Sequence, residues 1–101
     1  MNDVRLHRLA RQDLVNAALS YEEKQAGLGD KFVDAASQTF DSIAFMPDAG
    51  ILHETGMRMR IVKPFTYGVL YHSDKDVIVI LAIGHLNRKP EFWTDRVGDI
   101  E

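Results

Sequence analysis

Apolar and polar positions change period several times along this chain, and each change marks an element. Val4 and Leu6 alternate with Arg5 and His7, which predicts a short edge strand over residues 3 to 8, or else a frayed start to the first helix. Over residues 11 to 25, Leu14, Val15, Ala18, Leu19 and Glu22 recur at helical spacing, with Gln12, Asp13, Asn16, Ser20 and Glu23 on the wet face. Gly27-Leu28-Gly29-Asp30 breaks that period: Gly27 suits a helix C-cap and Asp30 the N-cap of a second helix. This helix runs to about Met46 on a stripe of Phe32, Val33, Ala36, Phe40 and Ile43, and Pro47 and Asp48 stop it. So short a connection predicts an antiparallel helical hairpin.

Residues 48 to 56 show no period and read as a loop. Three strands are expected at about 57–63, 65–72 and 77–85. Lys63-Pro64 limits the ladder, and Asp and Ser favour a turn at 73–76. The last strand is apolar on both faces, as a covered central strand is. Pro90 starts a short final helix carrying Phe92 and Trp93. The expected fold is α+β: an N-terminal strand, an antiparallel helical hairpin packed on a mostly antiparallel sheet of about four strands, and a short C-terminal helix.

Length and composition narrow the reading. The 101 residues make one domain, 1–101, able to bury roughly two-thirds of its unfolded surface. There is no cysteine, so disulfides and thiolate metal sites are excluded, which fits a cytoplasmic location. The N-terminus lacks the apolar run of a signal peptide, and Val77 to Ile83 is too short to span a bilayer as a helix. The net charge of −3 argues against direct nucleic-acid binding through phosphates, although Arg58, Arg60, Lys63, Arg88, Lys89 and Arg96 crowd into the second half.

Arg58 and Arg60, two apart on a strand, share a face opposite Met57, Met59 and Ile61. They form either a solvated face paired with acids or a positive site for a carboxylate or phosphate. His85, after Gly84, is either a proton carrier or a structural hydrogen bonder. Arg88 and Arg96 either hold anions or tie the last segment to the sheet, and Trp93 reads as a core lid. Phe65, Tyr67, Val69 and Tyr71 make a core stripe rather than a base-stacking platform. The four histidines show neither an i, i+4 pair nor His-x-His, so no metal site is expected. No nucleophile–His–acid set can be argued from spacing.

Gly56-x-Arg58, Phe65-x-Tyr67-x-x-x-Tyr71 and Ala82-x-x-His85-x-x-Arg88-x-Pro90-x-x-Trp93-x-x-Arg96, in that order, resemble the RelE/ParE superfamily of bacterial toxins from type II toxin–antitoxin (plasmid stabilisation) systems, and its ParE branch in particular. Thr66 departs from the resemblance, since the family often has Pro in a Phe-Pro-Tyr motif. The resemblance implies a toxin neutralised by a cognate antitoxin and acting by binding a target such as DNA gyrase, with no cofactor and no catalytic residues of its own. It also implies a homodimer or a hetero-oligomer with the antitoxin. Arg58, Arg60, His85, Arg88, Trp93 and Arg96 are the residues expected at a partner or target surface.

Two alternatives stay open. One is a RelE-type ribosome-dependent mRNA endonuclease using Arg58, His85 and Arg88, with Arg60 in support. Against it, the tail after Trp93 has no Tyr or His. The other is an inactive, antitoxin-binding relative.

Overall fold

Val77–His85, the strand expected to be covered on both faces, is buried at every position from Ile78 to Gly84 in a computed structural model that describes residues 2–53, 55–87 and 90–99. It is β5 of a five-stranded sheet. The other strands are β1 (Asp3–Leu6), β2 (Ile51–Leu52), β3 (Arg58–Ile61) and β4 (Tyr67–Asp74), and the order is β1-β5-β4-β3-β2. Two helices, α1 (Arg8–Lys24) and α2 (Leu28–Phe45), cover one face, so the fold is α+β.

Three features differ from expectation. The sheet has five strands, not about four, because Ile51–Leu52 inside the expected loop pairs with Met59 and Arg58. Two residues are too few to show a period. The sheet is also mixed: β1 runs parallel to β5, while the other pairs are antiparallel. Among the described residues no α-helix follows β5; Pro90–Asp99 winds as a 3-10 helix. In 3-10 winding, residues three apart fall on one side, and Trp93 and Arg96, three apart, are both buried (3% and 8% exposed).

Element ends are set by side chains that the sequence reading passed over. β1 stops at Leu6 because His7 caps α1, its Nδ1 accepting the Leu9 N–H at 3.1 Å. α2 starts at Leu28, ahead of the expected Asp30 cap. Gly27, with φ 88°, is its N-cap and offers no side chain. The carboxylate of Glu22, one helix back, accepts the N–H groups of Gly27 and Gly29, each at 3.0 Å. A Cβ on Gly29 would lie 2.7 Å from the Ala18 carbonyl oxygen, so the hairpin closes only around a glycine there.

The N–H of Gly27, and after it that of Gly29, holds the Glu22 carboxyl below its ordinary value of 4.5. A carboxyl held low in the fold adds stability that is present above the unfolded value and lost as pH falls through the folded one. Glu22→Gln is therefore expected to destabilise at pH 7, with the difference from wild type shrinking as pH falls below 4.5. Urea melts at neutral and acid pH check this, and an equal difference at both would refute it.

Between helices and sheet, Phe32, Ala36 and Ile43 meet Val62, Val69, Tyr71, Ile78, Ile80 and Ile83. Tyr21, Phe32, Phe65 and Tyr67 interlock at one end, with centroids 4.8 Å apart for Tyr21–Phe65 and 5.2 Å for Phe32–Tyr67. The expected stripe of Phe65, Tyr67, Val69 and Tyr71 therefore lies in the core. Half of the expected face of α1 holds: Leu14 and Ala18 pack on the core, but Val15 and Leu19 are 51% and 58% exposed, and Ala10 and Ala17 are buried instead.

A bulge between β4 and β5 pairs Leu70 with Ala82 but Tyr71 with Ile80, which skips Leu81. The opposite face of the sheet carries a second cluster, in which Met57, Leu70, Val79, Leu81 and Ala82 pack with Trp93.

Candidate interaction site

The residues singled out in the sequence are dispersed to both faces and one edge of the sheet. Arg58 and Arg60 do share a face of β3, as the alternation requires, and it is the helix-facing side. There Arg58 Nη1 donates to the carbonyl oxygens of Gly50 (3.0 Å) and Asp48 (3.2 Å), tying down the 3-10 turn Pro47–Ala49. Beside it the Tyr71 hydroxyl donates to the Pro47 carbonyl at 2.7 Å. Burial pushes the Tyr71 hydroxyl above its ordinary pKa, opposed by the Gly50 backbone and the positive charges of Arg60 and Arg58. Arg60 Nη2 donates to Ser42 Oγ at 2.7 Å, and Arg60 Nη1 is buried without a hydrogen-bond partner.

His85 ends β5. Its Nδ1 accepts the Asn87 N–H at 3.1 Å, which puts the proton on Nε2, 3.0 Å from Thr66 Oγ1. Both ring nitrogens are thus engaged within the chain, and the ring meets Tyr67 nearly edge-on at 5.5 Å between centroids. Arg88 lies outside the described residues.

Trp93 sits in the second core as a lid, its ring 5.3 Å from that of His53. The glycine before His85 leaves no open backbone: a Cβ on Gly84 would lie 2.5 Å from Phe92 Cζ. Beside this lid opens an apolar cleft of ≈ 280 Å³, walled by Leu52, His53, Met59, Leu86, Phe92 and Trp93, with no Asp, Glu, Lys or Arg among the described residues that line it. Ile51, Leu52 and Leu86 on its rim are 63%, 61% and 42% exposed.

Arg96 closes the far edge. β1 ends opposite Ile80, so beyond that point β5 has a strand beside it only on the β4 side. Asp13 Oδ2 accepts the Ile83 N–H at 3.0 Å, and Arg96 Nη1 donates to the Leu81 carbonyl at 3.1 Å. The two side chains also pair with each other, Nη1 to Oδ2 at 2.6 Å and Nη2 to Oδ1 at 3.3 Å. Asp13 was assigned to the wet face of α1. It lies three residues after Ala10 and four before Ala17, both buried, and so shares their inward side of the helix.

Two helices over one face of a mixed five-stranded sheet, with the Pro90–Asp99 segment on the other, define a small α+β fold. The family model of the ParE toxin of the type II toxin–antitoxin system, parDE, matches residues 4–90, and the chain belongs to that family. A solved chain from a chromosomal ParDE TA system of P. aeruginosa superposes with a TM-score of 0.65 at 18% identity, covering 84% of this chain and 96% of that one, which is a likeness of fold. No curated protein matches. Among the described residues no helix is long and apolar enough to cross a membrane.

Proposed function

We propose that this chain is a toxin that acts by binding, with DNA gyrase as its target, and that a cognate antitoxin neutralises it. The observation that carries the inhibitor reading over the nuclease reading is the state of His85. An acid–base catalyst needs a nitrogen free to exchange a proton with substrate, and both of its nitrogens are occupied inside the chain. Arg58 is likewise committed to backbone carbonyls. The family match supports the antitoxin, and the exposed Ile51, Leu52 and Leu86 around a largely apolar cleft offer area for a partner to cover. A two-residue edge strand leaves room for a partner segment to extend the sheet.

The purified chain is expected to block supercoiling by gyrase, with activity restored by the product of the adjacent antitoxin gene. Messages in a translating extract are expected to stay intact by primer extension. Codon-phased cuts that vanish with His85→Ala would overturn this reading in favour of a RelE-type endonuclease, and lack of both activities would favour an inactive antitoxin-binding relative.

A further inference from the structure

The cleft on the other side of β3, between that strand and α2, has different chemistry. It measures ≈ 390 Å³, and Arg60, Lys63, Ser42 and Gln38 share its lining with apolar Ile51 and Met59. Among the described residues no Asp or Glu lines it. Arg60 has no carboxylate within ion-pair distance among the described residues, and its one side-chain hydrogen bond goes to Ser42 Oγ. Its Nη1 is withdrawn from solvent with no acceptor.

Buried polar atoms in folded proteins nearly always have partners, and an unpaired charged donor carries a large desolvation penalty. The cleft around Arg60 is thus short of one hydrogen-bond acceptor beside the positive charges of Arg60 and Lys63, although the chain as a whole carries a net charge of −3.

We infer that the α2–β3 cleft is a carboxylate-binding site, built to receive an Asp or Glu side chain of a protein segment. Guanidinium donors match a carboxylate in geometry and charge, and a small turn of Arg60 toward the cleft supplies Nη1 with the acceptor it lacks. Lys63 adds a second positive charge, and Ser42 and Gln38 add neutral hydrogen-bonding groups. The apolar half of the lining favours a peptide, in which the acid is flanked by hydrophobic residues, over a nucleic-acid phosphate. The net negative charge opposes approach to a phosphate backbone as well. Ile51 belongs to both clefts, so a segment crossing β2 reaches the apolar one on one side and the basic one on the other. The source of the carboxylate as an antitoxin rests on the proposed function; the site itself does not.

The test uses the whole chain and three probes: N-acetyl-Leu-Glu-amide, its Leu-Gln counterpart, and inorganic phosphate. Nitrogen–proton NMR spectra follow the Arg60 Nε–H and the amides of Ser42 and Lys63. The Glu probe is expected to shift these signals saturably and to bind about tenfold more tightly than the Gln probe, the loss expected when a charge-assisted contact is removed. Arg60→Gln is expected to abolish the difference. If that variant fails to fold by circular dichroism, Lys63→Gln at its exposed position carries the test and is expected to weaken the Glu probe selectively.

Equal binding of the two peptides, shifts that survive both substitutions, or no saturation up to the solubility limit would overturn the proposal. Equal shifts with phosphate would overturn it in favour of a general oxyanion site. Each outcome is independent of gyrase and antitoxin assays, so failure here leaves the toxin reading standing.

Discussion

Arg96→Met is expected to destabilise the fold by about 3–5 kcal/mol, the usual result of removing one member of a buried ion pair. The Arg96 and Asp13 side chains are only 10% and 11% exposed, so solvent does little to screen them. Removing the guanidinium leaves the Asp13 carboxylate buried with the Ile83 N–H as its remaining donor, and it leaves the Leu81 carbonyl without Arg96. The guanidinium also lies 5.4 Å from the centre of the Phe92 ring, so stacking is lost with the charge. Asp13→Asn, which keeps an acceptor oxygen, is expected to cost less than Arg96→Met. The double variant is expected to cost less than the two singles added, because neither then leaves a bare buried charge. Urea denaturation of all four proteins gives the cycle. A loss under about 1 kcal/mol for Arg96→Met, the range of exposed pairs, would show that the pair does not hold the edge.

That pair also marks the limit of what the sequence made legible. Periodicity depends on local spacing, so the elements with their own period were readable: the two helices, the hairpin of β4 and β5, and the apolar run Val77 to Ile83. Whatever depended on a distant neighbour was not. β1 pairs in parallel with β5 across most of the chain, and no local turn announces it. β2 exists only because Met59 and Arg58 lie alongside it. Leu14 and Ala18 on the expected face of α1 do pack on the core, but its fully buried positions are the small alanines Ala10 and Ala17, while Val15 and Leu19, which look like core residues, are exposed.

The candidate site was legible in part for the same reason. The shared face of Arg58 and Arg60 follows from strand alternation alone. Their division of labour, with Arg58 on carbonyls and Arg60 left one acceptor short, depends on α2 and the 3-10 turn that pack over them. His85 was located correctly, but its partners Thr66 and Asn87 come from a neighbouring loop and the turn after β5. The Thr that departs from the family's Phe-Pro-Tyr pattern is the residue that engages Nε2. A proline there would have no hydroxyl to do so.

Trp93→Ala is expected to cost about 3–5 kcal/mol, the loss of a large aromatic from a closed core. Trp93 is 3% exposed among Met57, Leu70, Val79, Leu81 and Ala82. Among the described residues no α-helix covers that face of the sheet, so the 3-10 segment around Trp93 is its main cover, and truncation opens the cluster to the adjoining cleft. Against a typical total stability of about 5–15 kcal/mol, such a loss is a large fraction. Trp93 is also the only tryptophan, so its emission reports the seating of the strap directly. If Arg96 anchors the strap at one edge and Trp93 at the face, Arg96→Met should redden the emission at a lower urea concentration than the loss of helical circular dichroism. The wild type should show both transitions together, as one cooperative unit. A Trp93→Ala loss within about half a kcal/mol, the range of surface substitutions, would mean that the strap is not part of the core. The sheet face beneath it would then be open to a partner.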